Sequence, residues 1–305
     1  MKPEILDKYS QSAKVKQIVA AIQQRENKIH VKGLVGSALS FVTDPLFRQS
    51  ELPFLLILKD KEEAAYYLND LEQLIGDQDV LFYPGSFRRP YQIEETDNAN
   101  ILLRAEVLNR INSRKKPAII VSYAEALFEK VVTRKELEKN TLKVATGDQI
   151  SIDFINEVLF EYEFRRVDFV TEPGEFSVRG GIVDVFSFSN DNPYRIEFFG
   201  NEVDSIRTFD VASQLSLDKK NKITVIPNVE NKQLQEKRES FLEYINEKTV
   251  ILIQNTEALL AQLDVLYQKA NEAFDKLSKD IKHATPEELF LNQQTFVKKS
   301  PCSVT

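Results

Sequence analysis

Two stretches of the chain carry residue types at spacings that could do chemistry. The first is Gly33-Leu34-Val35-Gly36-Ser37-Ala38-Leu39-Ser40, set between a short strand-forming run and a helix-forming one. A phosphate-binding loop at such a junction reads G-x-x-x-x-G-K-[ST]. Its amides cradle phosphates and its lysine neutralises their charge. Gly33, Gly36, Ser37 and Ser40 keep parts of that pattern, but Ala38 stands at the second glycine and Leu39 at the lysine. Leu39 cannot donate to an anion. The stretch therefore reads either as a plain strand-to-helix turn or as a degenerate phosphate loop, and no cofactor is expected on it. Asp70-Leu71-Glu72-Gln73 has the composition of an acidic helicase box, but it falls in an amphipathic helical pattern, where it reads as a solvated face.

The second stretch is Tyr194-Arg195-Ile196-Glu197-Phe198-Phe199. Strand period is 2, so Tyr194, Ile196 and Phe198 share one face and Arg195, Glu197 and Phe199 the other. An exposed aromatic beside an arginine has the composition of an interface hot spot. The alternative is that Phe199 folds under the turn at Gly200. Arg179, just before Gly180-Gly181, reads as an exposed hairpin arginine. Glu172, Glu175, Asp184, Glu197, Glu202 and Asp204 could by type supply an acid/base pair, and nothing in their spacing singles out two.

Composition narrows the field. The chain has 305 residues with a net charge of −7, which argues against a generally basic nucleic-acid module. One cysteine, Cys302, excludes a disulfide framework, and two histidines leave no His-rich metal centre. No apolar run approaches the roughly 18 residues of a membrane span, and no signal h-region opens the chain. A cytoplasmic protein is expected.

The elements that must position these residues alternate at first. Residues 1–26 read as helical, 29–31 as a strand and 38–49 as a helix. Pro53–Leu58 is a continuous apolar run of the kind buried in parallel sheets. A helix over 61–75, a strand over 79–83, a helix from Thr96 or Asp97 to 112 and a strand over 118–121 follow, with Ser122 capping a further helix. From about 141 the texture changes. A helix from Ser151 or Asp153 precedes strands over 166–171, 175–178, 181–186, 194–199, 203–209 and 222–226, separated by turn residues. The end returns to helix (236–247), strand (249–253) and one or two helices (256–283). The pattern predicts an α/β domain with a parallel sheet, residues 1–140 and 228–305, interrupted by a small α+β module with an antiparallel sheet, residues 141–227.

The run Glu172-Pro173-Gly174-Glu175-Phe176-Ser177-Val178-Arg179-Gly180-Gly181-Ile182-Val183-Asp184-Val185-Phe186, continued by Pro193 to Asp210, resembles the bacterial transcription-repair coupling factors (the Mfd family), whose N-terminal region is in turn similar to the repair protein UvrB. Weaker similarity covers Gly33–Ser40, Val80–Pro84, Pro90-Tyr91, 98–111 and 118–121; residues 228–305 match in texture only. The resemblance implies a UvrB-like domain 1 in two pieces, 1a and 1b, with domain 2 inserted as the UvrA-binding module. It places two arginines and a phenylalanine of the family's UvrA-binding surface on Arg179, Arg195 and Phe199, with Glu197 and Arg207 adjacent. The arginines would pair with UvrA carboxylates and Phe199 would fill an apolar recess. It implies no catalysis in this segment. An ATP- and Mg²⁺-dependent DNA translocase motor, RNA polymerase and double-stranded DNA contacts, and a C-terminal domain masking the UvrA face, would belong to a longer parent.

The chain departs from UvrB in lacking the intact phosphate loop and the long aromatic hairpin after Val80–Pro84. The family's Trp-Glu pair is absent from Gly85-Ser86-Phe87-Arg88-Arg89. Three other readings compete with the adaptor: a UvrB-type ATP-dependent helicase fragment, a direct binder of damaged DNA, and a scaffold whose module is structural only.

Overall fold

The computed structural model describes residues 2–25, 28–86, 91, 98–113, 116–228, 237–277, 283–299 and 303–304. Thr96, Asp97, Cys302 and the loop from Phe87 to Pro90 lie outside them. The chain divides into two compact units: Met1–Asp97, Ser113–Val131 and Lys237–Thr305 form one, and Asn98–Asn112 with Val132–Glu236 the other.

The first unit holds a six-stranded sheet in the spatial order Lys28–Ile29, Ser303–Val304, Val250–Ile253, Phe54–Leu58, Ile119–Tyr123, Val80–Phe82, every pairing parallel. The apolar runs Phe54–Leu58, Ile119–Tyr123 and Val250–Ile253 are buried at every position, as strands covered on both faces must be. The helix Lys61–Ile75 starts where the Asp60 carboxylate accepts from the Glu63 N–H, and it buries Ala64, Tyr67 and Leu71.

The second unit is built on an antiparallel sheet in the order Ser216–Lys219, Glu202–Phe209, Tyr194–Phe199, Ile182–Val185, Glu175–Arg179, with Arg165–Arg166 pairing in parallel at the far edge. Its main core joins Phe176, Val183, Val185, Tyr194, Ile196, Val203 and Ile206 to Ile155 and Leu159 of the helix Ile152–Glu161. Ser151 caps that helix, its Oγ accepting from the Phe154 N–H.

Several expectations are corrected. The helix Asn98–Ser113 packs in the second unit, because Ile101 and Ala105 face the module's core; a helix read from sequence does not say which core it joins. The described residues 2–25 hold two helices, Lys2–Gln11 and Ala13–Gln23, separated at Ser12, whose ψ of 130° is not helical. The strand expected over 166–171 is limited to Arg165–Arg166. The chain then turns so that Val170 is buried and the Thr171 and Glu172 N–H groups reach the Glu175 carboxylate. Ser122 is no helix cap; it is buried and donates to the Tyr83 carbonyl, and Tyr123 holds the cap position. The helix expected over 236–247 is one turn, Phe241–Tyr244, preceded by the strand Arg238–Glu239. The last long helix ends at Asp275. The strand Ser216–Lys219 was not foreseen at all. No helix among the described residues is long and apolar enough to cross a membrane.

Candidate protein-binding face and the phosphate-loop remnant

The sheet of the second unit has two faces with different fates. One packs on the helices. Strand pairing builds the other from rows of residues in register. One row runs Ser177, Asp184, Arg195, Arg207, Lys219; the next runs Arg179, Ile182, Glu197, Ser205; Phe199 opposite Glu202 closes the face at the hairpin. Two-residue hairpins join Glu175–Arg179 to Ile182–Val185 and Tyr194–Phe199 to Glu202–Phe209. Gly180 (φ +58°) and Gly200 (φ +62°) take the positive φ that the first central position of such a loop demands.

At one end this face is covered. Phe209, Phe186 and Val170 are buried together, with Val167 and Val211 packed around them. Toward the hairpin ends it is open, and Phe199 keeps 84% of its surface in solvent. Phe198, its neighbour, packs against the main core. Strand period alone sorts these two rings.

Between the covered and open parts sits a charge cluster. Asp184 is 1% exposed and accepts from Arg195 Nε at 2.7 Å, Arg195 Nη2 at 2.9 Å and Arg179 Nη2. The Arg195 guanidinium also lies over the buried Phe209 ring, 4.4 Å from its centroid, and donates Nη1 to the Gln214 carbonyl. The hydrogen bonds to Asp184 hold the Arg195 guanidinium in its protonated form more firmly than usual. Arg195 is 16% exposed and Arg179 38%. Arg195 is tied down on three sides, while Arg179 lies near the surface over the exposed Phe169 ring. Glu197 accepts from Ser205 and pairs with Arg207; the Ser205 hydrogen bond, aided by Arg207, lowers its pKa below the usual carboxylate range.

Beneath the module's far edge Glu175 is nearly buried. Burial alone would raise its pKa, but the Thr171 and Glu172 N–H groups and Arg165 outweigh it, and the net shift is downward. Of the six carboxylates weighed in the sequence, Asp184 and Glu175 thus serve internal hydrogen bonding. Glu202 bonds Gln149. Sequence reasoning missed Phe169, which it placed inside a strand, and the edge-strand side chains of Leu217 and Lys219.

The stretch Gly33–Ser40 enters the helix Ala38–Ser50. Leu39 lines a cleft of about 140 Å³ with Leu34, Val42, Leu46, Leu56 and Leu252. The Gly36 carbonyl accepts from Tyr67, and Ser37 shares a hydrogen bond with Tyr66. The Ser40 hydroxyl is fully buried and donates to Asp70. This donor set does not fit a nucleoside triphosphate with its metal: an apolar wall replaces the cation, and the hydroxyl that would meet a metal is engaged inside. No group of His, Cys, Asp and Glu among the described residues could hold a metal ion.

Residues 142–230, which carry the whole open face and the helix Ile152–Glu161 packed behind it, match the model of the UvrB interaction domain family. The transcription-repair-coupling factor of Bacillus subtilis is 28% identical over 86% of this chain. That of Staphylococcus haemolyticus is 32% identical over 74% of it, and that of Escherichia coli 28% over 64%. The chain is homologous to the transcription-repair coupling factors. It spans 22%, 19% and 17% of those three relatives, about a fifth of their length. The matched span coincides with the antiparallel module: it runs from the strand Leu142–Ala145 past the strand Lys222–Val225 that pairs with it.

Proposed function

We propose that this chain is a non-catalytic adaptor that recruits UvrA through its antiparallel module, in the manner of UvrB domain 2. In the longer parent it would link stalled RNA polymerase to nucleotide excision repair. The observation that carries the reading is Phe199, an aromatic held in solvent on the open face of a domain matched to the UvrB interaction family. Arg179 has N–H groups near the surface for a partner carboxylate. Arg195 keeps the strand and Arg179's anchor in place and offers only its exposed edge. Glu197 and Arg207 form the adjoining pair. The parallel-sheet unit, in UvrB terms domains 1a and 1b, hydrolyses no nucleotide; the apolar wall at Leu39 supports that part of the reading. ATP and Mg²⁺ serve the parent's motor, RNA polymerase and duplex DNA are partners of the parent in the cytoplasm, and another domain of the parent masks the face until the motor is engaged. Co-elution of the chain with purified UvrA tests this. The wild type should co-elute and Phe199→Ala should not; a folded wild type that elutes alone contradicts the reading.

A further inference from the structure

The parallel sheet holds a second crevice, beside the phosphate-loop remnant. The strand Phe54–Leu58 leads through the helix Lys61–Ile75 to Val80–Phe82, on one side of it in the sheet. Its neighbour Val250–Ile253 leads through the helix Thr256–Asp275 to Ser303–Val304, on the other side. Right-handed crossovers in opposite directions put the two helices on opposite faces of the sheet. The chain therefore parts at the carboxyl ends of these two strands, and open α/β sheets take their ligands at such a point. A crevice of about 340 Å³ opens here, with Ile57, Leu58 and Leu259 on its apolar wall and Gln254, Asn255 and Gln262 on its polar one.

The polar wall has a sign. Gln254 Nε2 donates to Glu63 Oε1 at 2.6 Å, and Gln262 Nε2 donates to Glu125 Oε1. A carboxylate only accepts, so each glutamine turns its NH2 to a glutamate and keeps its carbonyl oxygen for the crevice. Glu63 itself lines the crevice. Behind Gln262, Glu125 Oε2 is buried and has no hydrogen-bond partner among the described residues. Acceptors in such surroundings are normally met by a donor. Opposing positive charge is committed elsewhere. The Lys59 side chain is 74% exposed and lies 3.6 Å from Asp60. The two helix N-termini at the crevice are capped by Asp60 and Asn255, and the Asn255 NH2 is left as a donor at the rim.

We propose that this crevice binds an alkylguanidinium group. The planar fork carries several N–H donors and is weakly hydrated for a cation, which suits a wall of carbonyl oxygens backed by carboxylates. Its alkyl stem lies along Ile57, Leu58 and Leu259, as such stems lie along apolar surface. The group belongs either to a free guanidino compound or to an arginine side chain of a protein partner. The proposal is independent of the UvrA reading.

The test is titration of the chain with n-butylguanidinium, followed by the side-chain amide NMR signals of Gln254 and Gln262 and by melting temperature. Wild type should show saturable shifts of both amides and a raised melting temperature. Glu63→Gln, which takes one charge from the wall, should weaken binding about tenfold. Ala258→Leu, which fills the crevice from an exposed helix position and leaves every polar group in place, should abolish it. Circular dichroism checks that both variants are folded. Equal or tighter binding of N-acetylarginine amide supports the site and assigns it to an arginine side chain. Exclusion of that compound, with n-butylguanidinium still bound, supports the site and assigns it to a free compound. Folded wild type without saturable shifts, n-butanol binding as tightly as n-butylguanidinium, or unchanged affinity in both variants would overturn the proposal.

Discussion

Asp184 and Arg195 face each other across adjacent antiparallel strands, and their side chains close in a two-point contact at 2.7 and 2.9 Å. Because Asp184 is buried and Arg195 nearly so, the pair behaves as an internal strut. Removing one partner leaves the other charge desolvated. Asp184→Ala should lower the module's stability by about 3–5 kcal/mol. Arg179→Ala, at the exposed end of the same cluster, should cost about 1 kcal/mol or less. Urea unfolding of the two variants checks the contrast; equal losses would mean the cluster is not organised around Asp184.

A charge reversal at Arg195 would set two carboxylates against each other under the strand. It therefore measures folding before it measures binding, and Phe199 is the cleaner probe of the face.

Acid should weaken the module through Glu175 and Glu197. Both have folded-state pKa values below the ordinary glutamate value of 4.5. Their contribution is complete above that value and is lost as pH falls below it through the folded-state pKa. Melting temperature should hold from pH 7 to about 5 and fall below about 4.5. Glu175→Gln should be less stable at neutral pH and show a shallower acid decline; a decline as steep as wild type would contradict the assignment.

Two glycines should respond differently to alanine. A Cβ on Gly174 would lie 2.6 Å from the Phe188 ring, and its φ is +86°, so strain and overlap add. Gly200 has φ +62° with nothing within 4 Å of a Cβ, so strain acts alone. Gly200→Ala should cost about 1–2 kcal/mol and Gly174→Ala more, about 3 kcal/mol. Thermal melts rank them.

Restoring the lysine of the phosphate loop should not restore nucleotide binding. Leu39→Lys would put a cation in an apolar cleft, with Ala38 still in place and Ser40 still turned to Asp70. Titration with a fluorescent ATP analogue should show no saturable binding; tight binding would mean the loop is one residue from function.

The parallel sheet was legible because Phe54–Leu58 and Val250–Ile253 are buried on both faces and so read as unbroken apolar runs. Phe199 was legible because strand period is a local rule. Asp184 was not: it was one carboxylate of six, and only the register that brings Arg179 and Arg195 to it makes it different. Leu217 and Lys219 were hidden because Ser216–Lys219, exposed throughout, carries no apolar alternation to mark a strand. The helix Asn98–Ser113 shows a third limit. Its helical character was evident, but the core it joins is a long-range choice. Nor did the sequence show that Arg195 would lie over Phe209, since that ring is buried by a loop on the outer face.

The most direct test is the affinity of the chain for purified UvrA, measured by calorimetry for wild type and Phe199→Ala. Phe199 is exposed, so the two should melt within about 2 °C of each other, while loss of a hot-spot aromatic should weaken binding by at least about 30-fold, or about 2 kcal/mol. Equal affinity for UvrA in both folded proteins, or none in either, would contradict the docking face described here.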